Sequence, residues 1–242
     1  SGGGGGGRIA LLYHNATPWP GVRFATSPGG GFANAGARYK ATAGTVYLAD
    51  AAPLSGALGG GLFTNVNLSV SGMTSWAVAS LTVTSCSVNF ADPGFQVTVS
   101  NNIVIGSGGQ LGTVNLSCGG MLTLTNGGAL VVWSGATNGA GRDYGALVEV
   151  TNDIVIATSS RIYAYSHSTD GGMPVFRAAN VRVAAGGGFS ADEGGFRAAT
   201  GPGKGSPGTT ARGGGYGGRG GAGNSADNTG YTYGSSNAPV DP

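Results

Sequence analysis

At 242 residues with 40% hydrophobic content, the chain can bury one substantial core. Only 9% of its residues are charged, roughly a third of the share in ordinary soluble domains, while 51 are glycine. A net charge of +2 from scattered basic residues excludes the clustered positive field that nucleic acid or an anionic membrane surface would need.

The first segment, residues 1–62, opens on six glycines and an apolar strand, Arg8 to His14 (RIALLYH). A Pro-rich corner follows at Thr17 to Pro20, then a Gly loop and two strand-like runs, Ala37 to Ala43 and Gly44 to Asp50 (GTVYLAD). These read as short strands and irregular coils that begin a stack. No apolar run is long enough to span a bilayer, so no membrane is expected as a partner. The start lacks the basic and apolar regions of a signal peptide, which suits a mature product or an excised piece.

Residues 62–199 carry an internal repeat. Val97 to Leu111 (VTVSNNIVIGSGGQL) and Val148 to Ile162 (VEVTNDIVIATSSRI) share alternating apolar residues, an Asn at the fifth place and a second alternating triplet before a small-residue corner. Used as a ruler, this frame finds further copies at Phe63, Leu81, Val114 and Phe176, stepping at first by about 16 to 18 residues. An alternating strand buries one face only, so a short unit cannot form a core alone, whereas stacked units share one. The frame predicts an all-β fold, a right-handed parallel β-helix (solenoid) with Gly-rich N- and C-terminal segments. A β-sandwich of short strands is the competing reading.

On this ruler the fifth place reads Asn67, Ser85, Asn101, Cys118, Asn152 and Asn180, a mostly polar ladder at a bend where Asn tolerates left-handed backbone. The inward positions are Val97, Val99, Ile103, Ile105, Leu122, Leu124, Val148, Val150, Ile154, Ile156, Val181 and Val183. Cys86 and Cys118 fall two layers apart with the Val97 layer between them, which places two small buried residues ahead of a disulfide. Glu149 and Arg177 occupy the same place one layer apart, as an outward cross-strand ion pair would.

Two insertions interrupt the repeat, Ser134 to Gly145 and His167 to Pro174. Loops from adjacent layers share one side of a solenoid, so Trp133, Arg142, Tyr144 and His167, with Asp143 and Asp170 beside them, form the candidate ligand face. Trp19, Trp133 and Tyr144 are its candidate sugar platforms. Deleting Ala136 to Arg142 is expected to spare folding.

Residues 200–242 are Gly-rich with almost no aliphatics, and read either as a flexible tail or as a segment ordered by packing. In the second case Tyr216, Tyr231 and Tyr233 supply planar contacts at an assembly seam. Asn15, in Asn-Ala-Thr beside a Pro turn, is the candidate glycosylation acceptor.

No catalytic set emerges. The carboxylates do not gather as a glycosidase pair, and His14 and His167 have no partners at a metal-ligand spacing. Asp192 and Glu193 read as a solvated turn, and the glycine runs contain no phosphate-binding motif. No metal or cofactor is expected.

GGGGGGRIALLYH, then AGTVYLAD, then alternating strands, then GGGYGGRGGAGN and TYGSSNAPVDP resemble repeats of very large, glycine-rich surface proteins of bacteria and archaea. In such proteins a segment like the last of these commonly runs directly into one like the first. The resemblance implies a β-helical surface module without known catalytic residues.

The function expected from all this is structural and non-enzymatic: a subunit of an extracellular filament, sheath or surface layer that assembles end to end with copies of itself. A carbohydrate-binding or adhesion module, with a surface polysaccharide as partner, is the alternative. A polysaccharide-degrading enzyme is third.

Overall fold

A computed structural model describes residues 4–14, 21–30, 41–90, 92, 94–136, 145–192, 194–196, 201, 203 and 204. The described residues are all-β, without a helix, and form parallel sheets. Strands are numbered in chain order.

The longest sheet contains β1 (Arg8–Leu11), β3 (Gly44–Leu48), β6 (Val66–Val70), β9 (Ser87–Asn89), β12 (Gln110–Thr113), β15 (Ala129–Trp133), β18 (Arg161–Tyr165) and β21 (Gly188–Ser190), neighbours in that order. A second sheet runs β7 (Ser75–Val78), β10 (Gln96–Val99), β13 (Asn115–Cys118), β16 (Gly145–Val150), β19 (Met173–Arg177). A third runs β4 (Ala57–Leu58), β8 (Leu81–Thr84), β11 (Ile103–Gly106), β14 (Leu122–Leu124), β17 (Asp153–Ile156), β20 (Asn180–Val183). β2 (Phe24–Ala25) and β5 (Phe63–Thr64) form a small fourth sheet, where the Phe24 and Phe63 rings stack.

From β7 onward the chain visits the second, third and long sheets in rotation, so each consecutive triplet of strands lays one strand on each of the three growing sheets. Alternation explains the burial. In β10, β11, β16 and β17 the residues facing one way are Val97, Val99, Ile103, Ile105, Val148, Val150, Ile154 and Ile156, and all lie in one core with Leu122 and Leu124. Each fully buried Leu or Ile contributes roughly 1.5–3 kcal/mol of transfer free energy. Val181 and Val183 keep the same register, opposite Ile154 and Ile156. Yet they are 52% and 47% exposed, because β20 ends its sheet and nothing described covers it.

The register corrects the ruler. Val97 opposes Leu116, not Val114, and Leu116 opposes Val148, which opposes Phe176. The Val114 copy is thus displaced by two residues. Leu81 opposes Ile103, so its copy begins one strand late. Phe63 pairs with Phe24 in the small sheet, and the β6 strand that follows belongs to the long sheet. The spatial repeat is also longer than the ruler's step: Asn67 and Asn89, bonded side chain to side chain, are 22 residues apart, and Asn102 and Met121 are 19 apart.

The polar ladder at the fifth place is corrected as well. Asn101 and Asn152 do share a corner, but with Ala79, Gly120 and Ala179, joined by backbone hydrogen bonds of 2.7–3.2 Å. Of the expected ladder only Ser85 is left-handed; it shares the corner between the third and long sheets with Ser107, Asn126 and Ser159, with φ of 49°, 49°, 50° and 63°, and Asn65, at 51°, precedes β6. An amide ladder exists elsewhere, on the outer face of the long sheet. Asn67 Nδ2 donates to the Ala43 carbonyl (2.9 Å), Asn89 Nδ2 to Asn67 Oδ1 (3.3 Å) and Gln110 Nε2 to Asn89 Oδ1 (3.4 Å). Gly112 stands opposite Asn89, and a Cβ there would lie 2.0 Å from Asn89 Oδ1.

The cysteines are both free and buried, at different corners of the strand rotation. Cys118 ends β13, directly opposite Val99, and Cys86 lies between β8 and β9, so the triplet that holds Val97 stands between the two cysteines, as the repeat frame placed them. The Cys118 thiol donates to the Asn101 carbonyl at 3.2 Å. Burial pushes both thiols above the ordinary thiol range, partly offset by backbone hydrogen bonds. The folded state therefore binds protons more tightly than the unfolded one. The associated stability is intact below the ordinary thiol value and is lost as pH rises through the raised folded values. Neither cysteine should react with a charged thiol reagent at neutral pH until denaturant is added. Stoichiometric labelling of the native chain, read by mass spectrometry, would contradict this burial.

Candidate functional site

Two surfaces stand out from the repeat. The first is the corner where β15 runs toward β16 and β18 toward β19. Both insertions leave the long sheet and enter the second one here, as expected of loops in neighbouring layers. Alternation turns the last residues of β15 and β18 outward, and the register sets Trp133 against Tyr165. Their rings stack 4.4 Å apart at 14°. Such a pair contributes about 0.5–1.5 kcal/mol beyond its burial. The stack takes one face of each ring, and Trp133 remains 41% exposed.

The two loop bases are closed from within. The Gly135 amide donates to the Gly145 carbonyl at 2.9 Å. His167 Nδ1 lies 2.8 Å from Asp170 Oδ1, and the same carboxylate oxygen accepts from the Gly172 amide at 3.1 Å. Nδ1 is thereby committed to its own turn. Tyr165, absent from the sequence-based candidates, was findable as the outward residue aligned with Trp133, since RIYAY and ALVVW end alike in an aromatic.

Arg142 and Tyr144, the other two members of this face, lie outside the described residues, as do Asp143 and Trp19. So do Asn15 and the assembly tyrosines Tyr216, Tyr231 and Tyr233. Glu149 and Arg177 are register neighbours as expected. The ion pair near them forms on the third sheet instead, Arg182 Nη2 to Asp153 Oδ2 at 2.9 Å. Among the described residues no three His, Cys, Asp or Glu side chains group as a metal site.

The second surface is the last triplet. β19, β20 and β21 each end a sheet, so each presents one unpaired edge among the described residues. Inward-type residues lie uncovered there: Val181, Val183 and Phe189, the last 42% exposed and meeting the Phe176 ring edge-on at 5.4 Å. At the opposite limit of the long sheet stands β1, followed by Leu12, which is 78% exposed. Of the six large exposed apolar residues among those described, four therefore mark the two ends of the stack.

What these surfaces define, among the described residues, is an all-β architecture of extended parallel sheets with two uncovered ends. Compared with family models, with curated proteins and with solved structures, it matches none.

Proposed function

We propose that the chain is a right-handed parallel β-helix that serves as a structural subunit, joining copies of itself end to end in an extracellular filament, sheath or surface layer. The rotation of successive strands among three parallel sheets supports the solenoid reading. The observation that carries the assembly reading is the pair of open ends, where strand edges unpaired among the described residues coincide with exposed Val181, Val183, Phe189 and Leu12. Burying both against another copy satisfies backbone groups and removes apolar surface from water. Top meets bottom in such a contact, so it is heterologous and propagates rather than closing. A surface with 9% charged residues opposes this little.

In this reading the Gly-rich segment 200–242, with Tyr216, Tyr231 and Tyr233, packs along the seam. Electron microscopy of the intact chain beside one ending at residue 199 tests it. Filaments from the intact chain and folded monomers from the shorter one are expected. An intact chain that stays monomeric at high concentration would overturn the proposal, and normal filaments from the shorter chain would remove the segment's role.

A further inference from the structure

We infer that the partner of the β21 edge is the β1 edge of a second copy, held in one register by an Arg8–Asp192 ion pair with Phe189 placed over Gly7. The inference rests on the end-to-end reading above and specifies its interface. The long sheet supplies the argument, because one outward column crosses all eight of its strands: Arg8, Thr45, Asn67, Asn89, Gly112, Val131, Tyr163, Ser190. Its two ends, Ser190 and Arg8, are the residues at the two open edges.

Side-chain parity allows a second copy only even slips, since an odd one would turn every core residue outward. The inward Phe189 can therefore oppose Gly7, Ile9 or Leu11 of the next copy. Charge decides among them. Ser190 Oγ donates to Asp192 Oδ2 at 2.9 Å, which fixes an exposed carboxylate on the outward side of the β21 edge. With Phe189 over Gly7, the exposed Arg8 stands opposite Ser190 and one diagonal step from that carboxylate, within reach of a long side chain. With Phe189 over Ile9, Arg8 would instead stand opposite Gly188. There Arg161 Nη1 already lies 3.7 Å from where a Cβ would be, so two guanidinium groups would meet. With Phe189 over Leu11, Ser190 would face the apolar Leu12.

Space agrees with charge. A Cβ on Gly7 would find nothing within 4 Å, so the face of the strand on which Phe189 would lie has room for a ring. Among the described residues no ion pair engages Arg8 or Asp192.

Two measurements on the full chain test the register. In sedimentation velocity at low salt, Arg8→Asp and Asp192→Arg should each raise the concentration for half-association about tenfold, and the doubly exchanged chain should recover most of it. Neighbouring parallel strands stand about 4.8 Å apart, within disulfide reach. An equimolar mixture of Arg8→Cys and Ser190→Cys chains should therefore cross-link on oxidation, while Ala10→Cys mixed with Ser190→Cys should not. Cross-linking of the Ala10 pair instead would overturn the register but leave end-to-end assembly standing. Association with neither cross-link would place the contact elsewhere. A monomeric intact chain whose β21 amides resist hydrogen exchange would mean that the chain's own residues cover this edge, which overturns the inference and the assembly reading together.

Discussion

Replacing Ile154 by Asp is expected to leave no cooperatively folded chain. Ile154 is fully buried in β17, with Leu122 opposite it in β14 and Val181 opposite it in β20. Losing its packing costs roughly 2–5 kcal/mol, as for other buried aliphatics cut back to small residues. A carboxylate in that position adds a further penalty because neither water nor a cation reaches it. The sum is comparable with the entire stability of an ordinary domain, about 5–15 kcal/mol. The same change at Val181, one strand along in the same column, is expected to be mild in the isolated chain, since half of that side chain already meets solvent. Urea unfolding followed by circular dichroism separates the two. Equal losses at both positions would mean that β20 is as covered as β17.

Gly128→Ala is expected to cost about 1–3 kcal/mol, the range for an overpacked site, although it adds a single methyl group. Gly128 follows the corner Asn126–Gly127, both left-handed at 50° and 76°. A Cβ at Gly128 would lie 2.0 Å from the Ile105 carbonyl oxygen, and that oxygen belongs to a strand that cannot withdraw without breaking its sheet. Gly109 repeats the geometry, after Ser107 and Gly108 and 2.4 Å from the Val83 carbonyl. In the next triplet the same place is Ser160, which carries a Cβ; only one left-handed residue, Ser159, precedes it. Its hydroxyl is buried without a hydrogen-bond partner. Ser160→Ala should therefore stabilise the chain by about 1 kcal/mol, opposite in sign to Gly128→Ala. Thermal unfolding of both variants checks the pair, and a destabilised Ser160→Ala chain would show that the hydroxyl has a role in the fold.

Alternation made the strands and the inward residues legible, because burial on one face is written directly into a period of two. Register was harder for the same reason. A slip of two residues preserves the pattern, so VNLSC at Val114 fits VTVSN at Val97 as sequence while in space Leu116 takes the Val97 place. LTV at Leu81 resembles both VTV and IVI, and only the pairing with Ile103 distinguishes them. The corner had a better marker than the Asn at the fifth place: a left-handed Ser or Asn followed by two glycines, at Ser107 and again at Asn126. That both insertions leave the same corner followed from their spacing. The Trp133–Tyr165 stack did not, since it depends on a register that alternation leaves free. Nor did the exposure of Val181 and Val183, which follows from what lies beyond a strand rather than from the strand itself.

The strand order of the long sheet has a mechanical consequence. β1 and β21 lie at its opposite limits, so tension applied through these two strands acts along the line of inter-strand hydrogen bonds rather than across it. Among the described residues each triplet is bonded only to its neighbours, and the terminal one is held on a single side. A pulled molecule should therefore peel from an end in a series of small, similar length increments, one triplet at a time, instead of rupturing once. In a row of joined copies the weakest junction would yield first, and the subunits behind it would keep their fold.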